Sequence, residues 1–378
     1  MAKHSLLSAS SSFRWINCPP SARLCEKFED SPSPYAQEGT DCHKLCAYKI
    51  EKAIGKNAQD PTEDLEWFSQ EMEDCAESYC SYVMEQIEEA KKYSESPLTL
   101  VEQRLDYSSY TGVEDTFGTA DCLIAADGYL HVIDYKHGLG ILISAEGNTQ
   151  LSCYALGALD FFEAVYDIDK IELTIYQPRR SNVSTWTTSK AELLEWARTT
   201  LSPAAKLAYA GEGEFKAGDH CRFCKAKAVC RKRSEYNLEL ARYDFADPDI
   251  LTDKEIADVL SQADELVCWA NDVKDYALRQ ALAGTKYPGY KIVEGRSNRR
   301  YANEGAAAEA VEKAGYDPYE KRILGITAMK RMLGTKKFDE ILGDYILKPT
   351  GKPTLVPESD KRPAMNTAIE DFTKETKS

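Results

Sequence analysis

Helical and strand periods of apolar residues alternate along the chain between residues 35 and 210. The spacing predicts helices over about 35–55 and 63–93, the second with apolar residues at Leu65, Phe68, Met72, Tyr79, Val83 and Ile87. Strand patterns follow in "TLVEQRLDY", "FGTADCLIAA" and "YLHVIDYK", and the "ADG" at 126–128 predicts a hairpin turn between the last two. A helix over about 145–163, strands at "KIELTIYQ" and "VSTWTT", and a helix over about 189–210 complete the series. Strands framed by helices predict an α/β layer architecture.

The pattern changes after the cysteine-rich segment 221–230. A capping box from Thr252 to Glu255 predicts the start of a helix that runs to about 283. The segment "YPGYKIVEGRSNRRY" predicts a basic hairpin, 303–345 is mostly helical in pattern, and the tail "LKPTGKPTLVPESDKRPAMN" favours an extended chain. We therefore predict a first domain over 1–240 and a mainly helical accessory region over 241–378.

Composition and charge exclude few classes of protein. No apolar run is long enough to span a bilayer, and "MAKHSLLSASSSFRWINCPP" lacks the apolar core of a signal peptide, so a soluble, cytoplasmic protein is expected. The formal net charge of −15 argues against a polyanionic partner. Residues 216–242 and 274–300 are nevertheless basic, and such segments either contact phosphates locally or form solvated faces. Charge alone does not decide the partner.

Twelve cysteines without a secretion signal predict free thiols or metal ligands rather than a disulfide framework. Cys221, Cys224 and Cys230 follow a C-x2-C-x5-C spacing in a polar segment, which indicates a metal centre. Such a centre needs a fourth ligand, and Cys18, which precedes a proline, is the first candidate. The spacing fits either Zn²⁺ or an iron–sulfur cluster. Alternatives for the fourth ligand are Cys25, Cys42 and Cys46, and the thiols expected to be buried in regular elements are Cys75, Cys80, Cys122, Cys153 and Cys268.

The stretch "YLHVIDYKHGLG" ends a strand with Asp134 and Lys136, whose side chains share a face because they are two residues apart. Asp121, in "GTAD" on the preceding strand, comes close to Asp134 if the two strands are antiparallel neighbours. Two close carboxylates repel unless a divalent cation neutralises them, and two aspartates with waters and a phosphate suit Mg²⁺. A lysine beside them can orient or deprotonate water, as phosphodiester hydrolysis requires. An Asp-x-Lys alone is more often an exposed ion pair worth at most ~1 kcal/mol.

Further polar residues strengthen the metal interpretation without deciding it. His43 lies in the first predicted helix, where a lone histidine is more often structural than a ligand. Gln150 and Tyr154 share a helical face and either form a hydrogen bond at the edge of the core or point to the same site as Lys136. Glu102, at the beginning of the strand before the hairpin, is as readily a surface residue as a support for the site.

The order of the candidate residues along the chain resembles that of the RecB-type nucleases of the PD-(D/E)xK superfamily. These residues are Cys18, His43, Asp121, Asp134-x-Lys136, Gln150-x3-Tyr154 and Cys221-x2-Cys224-x5-Cys230. The likeness covers about residues 10–233 and is strongest to the iron–sulfur branch with AddB and the exonucleases of CRISPR adaptation. This chain has "GTAD" in place of Pro-Asp, and an aspartate where the second acid is usually glutamate. The whole chain, with "PESDKRPA", more loosely resembles a group encoded by phages and prophages.

The resemblance implies a mixed central sheet flanked by helices, with a [4Fe–4S] cluster on Cys18, Cys221, Cys224 and Cys230. It also implies that Mg²⁺ or Mn²⁺ is bound by His43, Asp121, Asp134 and the backbone carbonyl of Tyr135, that Lys136 is catalytic, and that Gln150 and Tyr154 lie beside the site.

We therefore predict a metal-dependent deoxyribonuclease with DNA as its substrate, and the family resemblance implies that it is an exonuclease. The looser likeness implies phage DNA recombination or replication in the bacterial host cytosol, beside a single-strand-binding or annealing protein. Basic residues around 225–233 and 286–300 are expected to hold phosphates. Two alternatives stay open at this point: a non-catalytic protein of nuclease fold that binds DNA or scaffolds a recombination complex, and a binding module stabilised by Zn²⁺.

Overall fold

A computed structural model describes residues 5–29, 34–239, 251–294, 301–319 and 323–347. The chain divides into two compact units, Met1–Gln280 and Ala281–Ser378. The predicted domain boundary near residue 240 lies outside the described residues. Within the part of the chain that the structure describes, no helix combines the length and apolar character needed to cross a bilayer.

A five-stranded mixed sheet forms the centre of the first unit. Its strands are β1 (Leu98–Asp106), β2 (Phe117–Ala126), β3 (Gly128–Tyr135), β4 (Ile168–Gln177) and β5 (Asn182–Ser189), in that spatial order. The β3–β4 pair is parallel and the other three pairs are antiparallel. Gly128, with φ of 75°, makes the tight turn from β2 into β3, because glycine adopts this left-handed conformation without steric cost. The predicted α/β architecture and hairpin are confirmed.

Helices cover both faces of the sheet because both faces are apolar. On one face, α3 (Pro34–Ala53) and α4 (Gln70–Ala90) bury a core with residues such as Ile50, Met72 and Ile133. On the other face lie α6 (Thr149–Phe162), α7 (Lys190–Trp196) and α8 (Ser202–Ala210), and the N-terminal α1 (Ser12–Asn17) packs into the same core. The short helices α2 (Ser21–Cys25) and α5 (Ser108–Thr111) complete these layers.

Caps and a proline explain where several helices begin or change geometry. The side chain of Asn148 accepts hydrogen bonds from the backbone N–H groups of Gln150 and Leu151 and so starts α6. The predicted helix over 189–210 is present, but Ala197–Leu201 is π-helical between α7 and α8. Pro203 has no N–H to donate to the carbonyl four residues earlier, which lies inside this stretch.

The helices after the cysteine-rich segment are α9 (Arg231–Leu238), α10 (Asp253–Leu282), α11 (Glu304–Lys313), α12 (Ile326–Leu333) and α13 (Thr335–Leu342). The predicted capping box of α10 is confirmed: the backbone N–H of Thr252 donates to Glu255 Oε2 at 2.8 Å, and the N–H of Glu255 donates to Thr252 Oγ1 at 3.4 Å. In the part of the second unit that the structure describes, the helices are the end of α10 together with α11, α12 and α13.

Two predicted elements differ from the structure. The helix expected over 63–93 begins at Gln70, because Ser69 caps it by accepting from the N–H of Met72 at 3.2 Å. The basic hairpin expected over 287–301 has no strand in its described part, 287–294, where Pro288 and Gly289 make a turn. Residues 295–300 of that hairpin, and the predicted extended tail after Leu347, lie outside the described residues.

Candidate metal centre

Three neighbouring strands bring three carboxylates into one row. Glu102 on β1 faces Asp121 on β2, between the paired residues Val101–Cys122 and Gln103–Ala120. The β2–β3 register, continued by one residue beyond its Cys122–Ile133 pair, places Asp121 opposite Asp134. Residues directly opposite on one face lie ~5 Å apart at Cβ, so the row concentrates negative charge at one end of the hairpin.

His43 reaches this row from α3. Its Nδ1 lies 3.1 Å from Asp121 Oδ1, and the other carboxylate oxygen of Asp121 accepts a 2.7 Å hydrogen bond from the backbone N–H of Tyr135. Burial opposes charge on His43, but the Asp121 carboxylate outweighs it and raises the pKa of His43 to about 9. Burial likewise opposes ionisation of Asp121, yet His43 and the N–H of Tyr135 lower the pKa of Asp121 overall.

His43, Glu102 and Asp121 each offer one ligand atom, and these atoms all lie within 4.8 Å of one another. Glu102 adopts this position with a left-handed backbone, φ 50°, in the middle of a strand. Such a conformation costs a non-glycine residue on the order of 1 kcal/mol or more and is concentrated at functional sites. Partial removal of its carboxyl from water, together with the nearby Asp121 carboxylate, raises the pKa of Glu102 to about 7. An imidazole with two carboxylates is a donor set that Mg²⁺ or Mn²⁺ accepts.

Asp134 and Lys136 form the second half of the site. Lys136 Nζ lies 2.9 Å from Asp134 Oδ2, as expected for side chains two residues apart on one face. Asp134 is 2% exposed, and its Oδ2 makes no hydrogen bond of good geometry despite this ion pair. An incompletely satisfied buried carboxylate oxygen is consistent with an additional ligand, such as a cation, at this position.

Gln150 and Tyr154 of α6 hold Asp134 and Lys136 in place. The Gln150 side chain accepts from Lys136 Nζ at 3.2 Å and donates to Asp134 Oδ1 and Tyr154 Oη, both at 3.0 Å. Since one amide satisfies all three partners, its orientation is fixed, and with it the direction of the lysine. The predicted Gln-x3-Tyr pair therefore lies beside the predicted Asp-x-Lys pair.

Burial acts in opposite directions on the two charged groups of this pair. It raises the pKa of Asp134, a shift that the neighbouring Asp121 reinforces and Lys136 opposes. It disfavours charge on Lys136, but Asp134 and Asp121 outweigh this and raise the pKa of the lysine. Lys136 is therefore a charged donor at neutral pH.

A buried chain of hydrogen bonds, which the sequence did not indicate, supports the site from behind. Tyr135 Oη lies 2.9 Å from His137 Nδ1, and His137 Nε2 lies 3.3 Å from Glu38 on α3. Arg179, in the 3₁₀ turn that follows β4, donates to the same Glu38 oxygen at 3.1 Å. The chain ties α3, which carries His43, to the end of β3.

The structure agrees with part of the predicted ligand set and adds to it. His43 and Asp121 meet, and Tyr135 contacts Asp121 through its N–H rather than through the carbonyl named in the prediction. Asp134 contacts Lys136 and Gln150 and lies outside the tight group. Glu102 takes its place in that group. Glu102 lies in the middle of β1 rather than at its beginning, and its left-handed backbone has no signature in the sequence.

The four predicted cysteine ligands line one narrow cavity. Cys18 follows α1, Cys221 and Cys224 lie in and after a 3₁₀ turn, and Cys230 caps α9; all four contribute to the cavity wall. The backbone N–H of Lys216 lies 3.5 Å from Cys18 Sγ, and its carbonyl oxygen lies 3.9 Å from Cys221 Sγ. The N-terminal segment and the cysteine-rich segment therefore meet despite their separation in sequence.

The spacing of these sulfurs bears on which group fits them. Zinc bonds of 2.3 Å place tetrahedral sulfurs about 3.8 Å apart. Although all four cysteines are described, no three of their sulfurs lie within 4.8 Å of one another. A cubane is larger than a single ion and holds its four thiolates further apart, so Zn²⁺ and a cluster both stay candidates for this cavity.

The other cysteines divide into three groups. Cys25 lies 3.6 Å from Cys224, sulfur to sulfur, but is not part of the cavity wall to which Cys18 contributes. Cys42 and Cys46 lie in the core between α3 and the sheet. The thiols found buried as predicted are Cys75, Cys80, Cys122 and Cys153. The prediction for Cys268 is wrong: it is exposed, because it lies on the solvent side of α10.

Residues 4–363 match the family described as "Protein of unknown function (DUF2800)", and the chain belongs to this family. Its description assigns no activity.

Two solved structures resemble parts of the chain at 13% identity. The crystal structure of SSO0001 covers 50% of this chain and 95% of its own, with a TM-score of 0.22. A crystal structure from Eubacterium rectale, described as a "putative exonuclease", covers 60% of this chain and 89% of its own, with a TM-score of 0.34. Both TM-scores are too low for either likeness to carry an argument about this protein.

Proposed function

We propose that this protein is a Mg²⁺- or Mn²⁺-dependent nuclease that hydrolyses phosphodiester bonds of DNA. The observation that carries the proposal is the row of Glu102, Asp121 and Asp134, with His43 at one side and Lys136 at the other. Three carboxylates at one end of a hairpin repel one another, and a divalent cation offsets that repulsion.

The residues divide into ligands and proton-handling groups. His43, Glu102 and Asp121 would hold the metal, with Asp134 and the carbonyl of Tyr135 completing the set. The metal, when bound, polarises the phosphoryl group and lowers the pKa of water. Lys136, charged and aimed by Gln150, donates a hydrogen bond to the attacking water or to a phosphate oxygen on which negative charge develops. Tyr154 keeps Gln150 in the orientation that this requires.

The test compares Lys136 with a matched lysine on β4. Lys170 and Glu172 form an ion pair at 2.6 Å, with the same two-residue spacing as Lys136 and Asp134. Lys170→Met therefore removes a comparable paired lysine that is not part of the proposed site. We expect Lys136→Met and Asp121→Asn to lower Mn²⁺-dependent loss of an end-labelled DNA by at least ~100-fold, and Lys170→Met to leave it unchanged. A folded Lys136→Met or Asp121→Asn variant with the wild-type rate would show that the site is wrong.

The same assay separates the nuclease from the non-catalytic alternative. A wild-type protein that shifts labelled DNA in a gel but degrades none of it, with Mg²⁺ or Mn²⁺ present, would favour a binding or scaffold role. Substrates blocked at one or both ends distinguish exonuclease from endonuclease activity. Action in phage recombination or replication, beside a single-strand-binding or annealing protein, stays a prediction of the sequence resemblance.

We further propose that Cys18, Cys221, Cys224 and Cys230 hold a [4Fe–4S] cluster. The cavity that these four residues share supports it. A brown protein after anaerobic purification, with absorbance near ~400 nm, is expected, because sulfur-to-iron charge transfer absorbs there. A colourless protein with one equivalent of zinc would instead establish the Zn²⁺ alternative.

A further inference from the structure

Arg233 is a fully buried cation beside the four-cysteine cavity. The residue is 0% exposed and contributes to the cavity wall together with Cys18, Cys221, Cys224 and Cys230. A guanidinium so fully removed from water requires partners for its charge. The hydrogen-bond partners of its guanidinium therefore indicate which groups Arg233 binds.

Two of the three guanidinium nitrogens join Arg233 to α10. Its Nε donates to Glu265 Oε1 and its Nη1 donates to Asp272 Oδ2, both at 2.6 Å. Nη1 also donates to the carbonyl of Lys227 at 3.2 Å, inside the cysteine-rich segment. Lys227 Nζ binds Asp272 at 2.7 Å. The ion pairs thus connect α10 directly to the loop between Cys224 and Cys230.

The third nitrogen, Nη2, is buried and has no hydrogen-bond partner. A buried charged donor without a partner costs on the order of 1–3 kcal/mol or more, so native proteins satisfy nearly all such groups. Because Arg233 lines the cysteine cavity, the missing acceptor is naturally a thiolate or a sulfide of a group bound there.

We propose that Arg233 is a positioning residue of the cysteine centre and couples loading of that centre to docking of α10. Nη2 donates to sulfur of the bound group, while Nε and Nη1 hold Glu265 and Asp272. The inference rests on the proposed cysteine centre and goes beyond it by giving α10 a function. By linkage, whatever a loaded centre contributes to the docking of α10, docked α10 contributes equally to retention of the centre.

The experiment uses the full chain with its centre reconstituted under anaerobic conditions. Arg233→Gln is compared with Arg231→Gln, since Arg231 is an exposed arginine of the same helix. We expect Arg233→Gln to lose the centre to a chelator on the order of tenfold faster than wild type, because groups that hydrogen-bond to metal ligands tune retention of the metal by about that much. Its reduction potential should be lower, because a cation and a hydrogen bond to sulfur stabilise the reduced state. Arg231→Gln should match wild type in both measurements.

Hydrogen exchange of residues 253–282 tests the coupling from the other end. Wild type should exchange more slowly in this helix when the centre is loaded than after its removal, and Arg233→Gln should lose that difference. If Arg233→Gln does not fold, the double variant Glu265→Gln with Asp272→Asn keeps the arginine and should still accelerate loss of the centre.

The outcomes distinguish this inference from the proposal beneath it. A wild-type protein that binds neither iron nor zinc overturns the cysteine centre and the coupling together. A loaded wild type whose Arg233→Gln variant equals Arg231→Gln in chelation rate, potential and exchange overturns the coupling alone.

Discussion

Gly157 sets how closely α6 approaches the sheet, and its replacement by alanine should destabilise the protein. A Cβ added at Gly157 would lie 2.9 Å from Leu105 Cβ and 3.0 Å from the carbonyl oxygen of Asp106. Neither atom is the end of a flexible side chain: Leu105 Cβ is bonded directly to the β1 backbone, and the Asp106 carbonyl oxygen is part of it. The helix or the strand must therefore move to accept the methyl group.

The expected magnitude follows from two opposing effects. Alanine favours a helix over glycine by about 1 kcal/mol, whereas overpacking a dense core costs about 1–3 kcal/mol. Gly39 in α3 is the matched control, because a Cβ there meets nothing within 4 Å. Gly39→Ala should raise the free energy of unfolding by up to about 1 kcal/mol, and Gly157→Ala should lower it by up to about 2 kcal/mol.

Urea unfolding measures both variants, and a nuclease assay adds a second readout. Because α6 carries Gln150 and Tyr154, a shift of the helix also moves the groups that orient Lys136, and a displacement near 1 Å can cost about 100-fold in rate. If Gly157→Ala stabilises the protein as much as Gly39→Ala does, the close approach of α6 to β1 is not the constraint described here.

Three further outcomes are expected. His131 is buried, and its Nε2 lies 2.8 Å from Thr174 Oγ1. Burial lowers the pKa of His131 to about 4. The imidazole of the unfolded chain therefore takes up a proton near pH 6.5, whereas that of the folded chain does so only near pH 4. Stability should therefore fall by about 3 kcal/mol between pH 6.5 and pH 4, and His131→Gln should remove that part of the slope in urea unfolding; parallel curves for the two proteins would contradict this. Ser189→Ala should lower the free energy of unfolding by about 1 kcal/mol, because Ser189 and Glu192 form the capping box of α7, and an unchanged urea midpoint would count against it. Glu102→Gly should weaken Mn²⁺ binding in calorimetry without lowering stability, since glycine adopts φ 50° freely, and unchanged Mn²⁺ affinity would exclude Glu102 as a ligand.

The sequence by itself determined the strands and helices of the sheet layer, the capping box at Thr252 and the residue types of the site. These depend on neighbours within a few positions, and periodicity records them directly. The helix predicted over 63–93 started too early because the cap at Ser69 outweighed the apolar spacing before it. Asp134 and Lys136 were found because a two-residue spacing on a strand fixes a shared face.

Only the tertiary structure decided which residues from distant parts of the chain contact one another. The register of β1 against β2 brings Glu102 to Asp121, and the fold brings Cys18 to the same cavity as Cys221, Cys224 and Cys230. Cys268 is exposed because α10 turns it away from the core, and Arg233 is buried because Glu265 and Asp272 neutralise it. Such contacts join residues far apart in the chain, and their free energy depends on distance and burial. A linear pattern contains neither quantity until the chain has folded.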